Sequence, residues 1–280
     1  MRILAAGGAL CFAAVAWQLV YRPVLRPGRP PPPPPYSLPA PVTGLRLHVF
    51  NTGMNRMSVV LVGDTRPWRP VPAFVIEHST RGLVVFGAGL PAEVATEGEA
   101  ALGIPTRWVI ESRSRPGRSL AEQMLRDGLS PDAVRNVIVS HLHEDQLGSA
   151  KAFRAADFLG GAGTQDTRVN GWLPAWREID FTGLPPLPPL DVASDLFGDG
   201  SIVLIAGGGH ARGDRMALVA LPSAPVLLAG DAVVHRDWPG SDGVQRVTVA
   251  ADRAADVRNQ VRALLEARAD LTLASDTTCR

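Results

Sequence analysis

The chain has 280 residues, enough for one large α/β domain or two small ones. Apolar residues make up 46% and charged residues 20%, a balance that builds a sizeable core and excludes a disordered chain. Net charge is +1, aromatics are 6%, and no basic stripe interleaves with aromatics, so nucleic acid is not the expected partner. The two cysteines, Cys11 and Cys279, stand at opposite ends, and Cys11 lies inside an apolar stretch, which argues against a disulfide framework.

Ile3 through Val20 carries no charge over 18 residues and follows Arg2, the lower limit for a helix spanning a bilayer. Three readings stay open: an uncleaved anchor, which is favoured, a secretory signal with Ala14-Val15-Ala16 as its small-x-small cleavage site, or a mistaken start site. Arg22, Arg26 and Arg29 follow closely and leave orientation open. Residues 1–22 are thus expected to direct the chain to a membrane, with a bacterial inner membrane and a periplasmic body as the preferred arrangement. Pro30 to Pro35 is a run of six prolines. At roughly 3.1 Å per residue it forms a stiff polyproline II spacer of about 19 Å. Residues 23–41 read as that spacer and residues 42–280 as one domain.

In the body, Leu45 to Phe50 alternates as a strand does. Ala73 to Glu77 and Leu83 to Phe86 are short apolar runs around His78-Ser79-Thr80-Arg81-Gly82, a hairpin signature. Ser119-Leu120-Ala121-Glu122 is a capping box opening a helix that stops near Gly128. A turn of helix at Ser130-Pro131-Asp132 precedes the buried strand Val137-Ile138-Val139. Gly160 to Pro189 has few periodic apolar positions and is expected to be a long loop or lid. Ser201 to Ala206, Met216 to Leu221 and Val226 to Leu228 form a second set of strands. Val257, Val261, Leu264 and Leu265 share one face of a helix from Arg253 to Ala267, and Leu271 to Leu273 is a last strand. Strands in both halves with helices between them predict two packed sheets flanked by helices.

The chemistry starts at Ser140-His141-Leu142-His143-Glu144-Asp145-Gln146-Leu147-Gly148. Alternate residues leaving a strand point the same way, so His141 and His143 can face one ion. Two histidines at this spacing are a weak signal, and Asp145 with the preceding Val-Ile-Val-Ser run strengthens it. Gly207-Gly208-Gly209-His210 then follows a strand, and Leu227-Leu228-Ala229-Gly230-Asp231 is a strand ending in Gly-Asp.

In order and approximate spacing these segments resemble the metallo-β-lactamase superfamily from Leu45 to Asp276, most of all its N-acyl-homoserine-lactonase branch. The resemblance implies the αββα sandwich of that α/β class. It implies that His141, His143 and His210 bind a first metal, that Asp231 bridges two metals, and that Asp145 binds the second. The chain departs from the pattern at several points. Gln146 stands for a second-metal histidine, Ser275 for the last histidine, and Gly87-Ala88-Gly89 for a strand-end Asp-Thr-Gly, while Val234 lies near a lactonase tyrosine. An amide or hydroxyl is a poor substitute for imidazole at a transition metal. A single zinc ion is therefore expected, held by His141, His143 and His210 and completed by Asp231, with Asp145 as the base. His235 could replace a lost ligand or the tyrosine, and His48 and His78 receive no role.

The implied activity is zinc-dependent hydrolysis of a lactone, ester or related acyl bond in a small-molecule substrate. A catalytically inactive binding or scaffold protein on the same fold is the chief alternative, and an exported β-lactam hydrolase is a third.

Overall fold

The computed structural model describes residues 38–57, 68–104, 106–165, 171–233 and 249–274. The expected membrane segment and most of the proline spacer lie outside these residues, as do Val234, His235, Ser275 and Asp276.

Among the described residues the strands form two sheets. The larger has the order β4-β1-β2-β3-β5-β6-β7, from β1 (Leu45–Met57), β2 (Arg69–His78), β3 (Gly82–Phe86), β4 (Ile110–Arg113), β5 (Val134–Ile138), β6 (Asp157–Gly161) and β7 (Trp176–Ile179). The smaller runs β12-β11-β10-β9-β8, from β8 (Ala193–Asp195), β9 (Ile202–Ala206), β10 (Arg215–Val219), β11 (Val226–Leu228) and β12 (Thr272–Ala274). Four α-helices accompany them: α1 (Val94–Glu97), α2 (Thr106–Val109), α3 (Leu120–Arg126) and α4 (Ala251–Ala267).

The layering follows from the period-2 alternation of the strands. On β5, Ile138 faces the second sheet while Val137 faces α3; on β9, Ile202 and Leu204 face inward while Val203 and Ile205 face α4. The central layer packs Phe74, Ile76, Val84, Phe86, Ile138 and Leu159 against Ile202, Leu204, Ala217, Val219 and Leu228. Leu120 and Met124 of α3 close the outer face of the larger sheet, and Val257, Val261 and Leu264 of α4 close that of the smaller one. Strands buried on both faces read as unbroken apolar runs, which is why Ala73 to Ile76 and Ile202 to Ile205 lack polar positions. Each such large side chain contributes roughly 1.5–3 kcal/mol on burial. The architecture is therefore the expected αββα sandwich.

Local signals behave as their chemistry dictates. The β2–β3 hairpin pairs His78 with Gly82, which has φ +80°. At α3, the Ser119 hydroxyl donates to Glu122 Oε2 at 2.6 Å and the Ser119 amide donates to the same oxygen at 3.2 Å.

Two expectations need correction. Gly160 to Pro189 is not simply a loop: it holds the end of β6 and the whole of β7, which pair in parallel from Phe158–Trp176 to Gly161–Ile179. Trp176 is accommodated because Gly160 has no side chain; a Cβ there would stand 1.8 Å from Trp176 Cζ2. Nor does the first strand end at Phe50. It continues to Met57 through an irregularity between Asn51 and Met54, and its second part pairs with β4.

Candidate metal centre

The histidine motif leaves the carboxyl end of β5, which lies between parallel neighbours β3 and β6. It then turns through a short 3₁₀ helix, Glu144–Gln146, and docks by backbone hydrogen bonds on the end of β3. Ala88 N–H donates to Gln146 O at 2.8 Å, Gly148 N–H to Gly89 O at 2.8 Å, and Ser149 N–H to Ala88 O at 3.1 Å. His210 comes from the loop after β9, where the Gly209 and His210 carbonyls accept from Ala250 N–H and Val249 N–H at 2.9 and 3.2 Å. Asp231 follows β11 in the 3₁₀ turn Gly230–Val233, entered through Gly230 at φ +52°. One sheet thus supplies two imidazoles and the other an imidazole and a carboxylate.

These four side chains converge, each offering one ligand atom, all within 4.8 Å of one another. Among the described residues no other group of three or more histidine, cysteine or acidic side chains is arranged this way. His141 Nε2 lies 2.8 Å from His143 Nδ1, and His210 Nε2 lies 3.3 Å from that same atom. Asp231 Oδ2 is 3.2 Å from His210 Nε2 and 3.9 Å from His141 Nε2. The rings meet edge to face, with centroids 4.4 to 5.0 Å apart. Ligands about 2.0–2.1 Å from a tetrahedral zinc stand about 3.4 Å from each other, so the spacing around His210 fits that ion and His141–His143 is slightly tight. Three imidazoles and one carboxylate also form a donor set that suits zinc.

The electrostatics favour the neutral imidazoles that a metal needs. Burial, followed by the adjacent His143 and His210, holds the His141 pKa well below its ordinary value. Burial and then His210 lower that of His143, partly offset by Asp231 and Glu144.

Asp145, expected both as a ligand and as the base, is not among the four grouped side chains. Its Oδ2 accepts from Asn55 Nδ2 at 3.1 Å, and Asn55 Oδ1 accepts from the Ser112 hydroxyl at 2.6 Å. Burial, and next the neighbouring Asp231, push the Asp145 carboxyl up to about 7. Asn55 and Ser112 are site residues that the sequence does not disclose. Asn55 lies beyond the strand irregularity, where alternation no longer gives its facing, and Ser112 sits on β4, a strand without an apolar run. Gln146 is buried, with its Oε1 accepting from the Ser140 hydroxyl at 3.0 Å. His48 and His78 lie apart from the centre, the first 3.3 Å from Glu77 and the second 3.4 Å from Asp199.

A hollow of about 350 Å³ opens beside His143, lined also by Leu142, Thr164, Gln165, Arg212 and Val249. It has room for a small molecule next to the ligand cluster.

The model of the metallo-beta-lactamase superfamily matches residues 66–273. The chain belongs to the metallo-β-lactamase superfamily. Members of this superfamily are metal-dependent, and the curated relatives of this one are hydrolases. The chain is 28% identical over 216 residues to the N-acyl homoserine lactonase AttM of Azorhizobium caulinodans, covering 70% of this chain and 79% of that protein. It is 33% identical over 201 residues to the gamma-lactamase FDB1 of Fusarium pseudograminearum, covering 58% of this chain and 45% of the relative. Among solved structures, a variant of AiiA from B. thuringiensis with N-decanoyl-L-homoserine bound at its active site superposes with a TM-score of 0.67. That match has 15% identity and covers 87% of this chain and 98% of the other, which establishes the superfamily fold.

Proposed function

We propose that this metallo-β-lactamase-fold protein is a one-zinc hydrolase of a lactone, ester or related acyl bond in a small molecule. The observation that carries the reading is the convergence of His141, His143, His210 and Asp231 from both sheets. The lactonase and lactamase relatives support the substrate class, because both bond types present a ring carbonyl to a water nucleophile.

A zinc ion bound by these residues would supply a Lewis acid for a carbonyl oxygen and would lower the pKa of water. His141, His143 and His210 contribute neutral nitrogen donors, and Asp231 contributes the negative charge. Asp145 would hold the attacking water and take its proton at Oδ1, because its Oδ2 already accepts from Asn55 Nδ2. Leu142 and Val249 give the hollow apolar walls, and Arg212 places a cation at its rim for a polar substrate group.

A single ion is favoured because Gln146 supplies an amide, already engaged by Ser140, in place of an imidazole. Residues 1–22 would tether the body to a membrane through the proline spacer; among the described residues no helix is long and apolar enough to cross a bilayer. Fractionation of cells expressing the full chain and a chain lacking residues 1–22 tests this, with only the full chain expected in the membrane fraction.

The deciding experiment for the function joins zinc content to turnover on lactone and ester panels. One zinc per chain, with turnover abolished in His143→Ala, is the expected result. Turnover unchanged in His143→Ala would overturn the metal mechanism, and a zinc-bound chain inert to every substrate would favour the scaffold reading.

A further inference from the structure

Gln146 lies outside the four-residue ligand cluster, yet its side chain is held in a defined place. It is buried, as are Ser140 and His141, and the three form a connected row. Gln146 Oε1 lies 3.0 Å from Ser140 Oγ, which lies 3.1 Å from His141 Nδ1. The backbone fixes both ends of the row. Gln146 N–H donates to His143 O, its carbonyl accepts from Ala88 N–H, and the Ser140 carbonyl accepts from Arg215 N–H at 3.0 Å.

Proton counting then sets the direction. An amide oxygen has no hydrogen, so the Ser140 hydroxyl donates to Gln146. A hydroxyl has one hydrogen, so towards His141 its oxygen can only accept. Nδ1 of His141 must therefore carry the imidazole proton, and Nε2 is left bare. Nε2 is the atom that faces His143 Nδ1 at 2.8 Å and belongs to the ligand cluster.

We propose that Gln146 is a positioning residue for the metal centre, holding His141 through Ser140 in the tautomer whose Nε2 lone pair faces the ion. The proposal rests on reading the cluster as a metal site. Gly87 has φ +65°, and a Cβ on it would stand 2.6 Å from Gln146 Oε1. The absence of a side chain at Gly87 makes the space that the Gln146 amide fills. Outer partners of this kind, which orient a ligand histidine through its second nitrogen, typically alter metal affinity 10- to 100-fold when removed.

The test uses the full chain and two readouts that do not depend on turnover. Zinc affinity is measured by competition with a chromophoric chelator for wild type, Ser140→Ala, Gln146→Leu and Gln146→Glu. Ring nitrogen shifts of His141 are measured by NMR in the metal-free protein. The expected results are affinity about 10- to 100-fold weaker in Ser140→Ala and Gln146→Leu. Gln146→Glu, whose carboxylate also only accepts, should stay within about threefold of wild type. The wild-type ring should be protonated at Nδ1. A ring protonated at Nε2, a Gln146→Leu affinity equal to wild type, or a zinc count that falls from two to one in Gln146→Leu would each overturn the proposal. Should Gln146→Leu not fold, Ser140→Ala and the wild-type shifts decide the matter. Wild type that binds no zinc refutes the proposed function, while the nitrogen shifts still report whether the relay exists.

Discussion

Gly209 lies so close to the first turn of α4 that a Cβ on it would stand 2.2 Å from the Ala254 backbone nitrogen. With φ at +104°, the position also excludes other residues on conformational grounds. The glycine run before His210 is therefore a close approach between the ligand loop and a helix rather than a generic turn. Gly209→Ala must push His210 and α4 apart. Overpacking and backbone strain together predict a loss of about 2–4 kcal/mol in urea unfolding, with weaker zinc binding. A variant as stable as wild type would show that the loop can move without cost.

Asn55 makes a separate prediction. It links Ser112 to Asp145, and a hydrogen bond to a charged group contributes about 1.5–3 kcal/mol. Asn55→Ala should lower kcat about 10-fold or more while zinc content stays at the wild-type level. Asp145→Asn should lower it further, about 100-fold. Loss of zinc from Asn55→Ala would instead assign Asn55 to the structure of the centre.

Metal removal should be read in stability as well as in rate. A ligand that binds only the folded chain stabilises it by about 2.7 kcal/mol at 100 times its Kd. Chelation should therefore lower the melting temperature of wild type, and added zinc should restore it. His141→Ala/His143→Ala should melt at the same temperature with or without zinc, as followed by circular dichroism.

Glu178 on β7 gives a pH-dependent prediction away from the centre. Its carboxylate accepts from Gly163 N–H at 2.9 Å and Gln165 N–H at 2.7 Å, and those bonds hold its pKa below the ordinary value. A depressed carboxylate pKa stabilises the fold above the unfolded value, about 4.3, and the contribution fades as pH falls through the folded value. Wild type should exceed Glu178→Gln in melting temperature at pH 7, and the two curves should approach each other as the pH falls below the unfolded value and through the folded one. A gap that stays constant as the pH falls through both values would refute a role for the carboxylate charge.

Much of this was legible beforehand, for reasons that can be named. The β2–β3 hairpin, the Ser119–Glu122 box and the apolar face of α4 are local patterns, each resolved within a few residues. His141, His143, His210 and Asp231 could be aligned because ligand chemistry restricts residue type so strongly. What stayed hidden depends on distant partners. β7 is a strand because Gly160 yields space to Trp176, a fact written in neither segment alone. Asn55 reaches Asp145 across 90 positions of sequence, from a strand whose register shifts between Asn51 and Met54. Gln146 was visible as a departure, but its partner Ser140 became apparent only when both side chains had directions.

The division of the cluster between sheets has a further consequence. His141 and His143 follow β5 of one sheet, while His210 and Asp231 follow β9 and β11 of the other. A nascent or half-open chain can therefore present only two of the donors, and two donors grip zinc weakly. A zinc ion held by these four side chains would therefore join the two halves of the sandwich, and its removal would loosen that join.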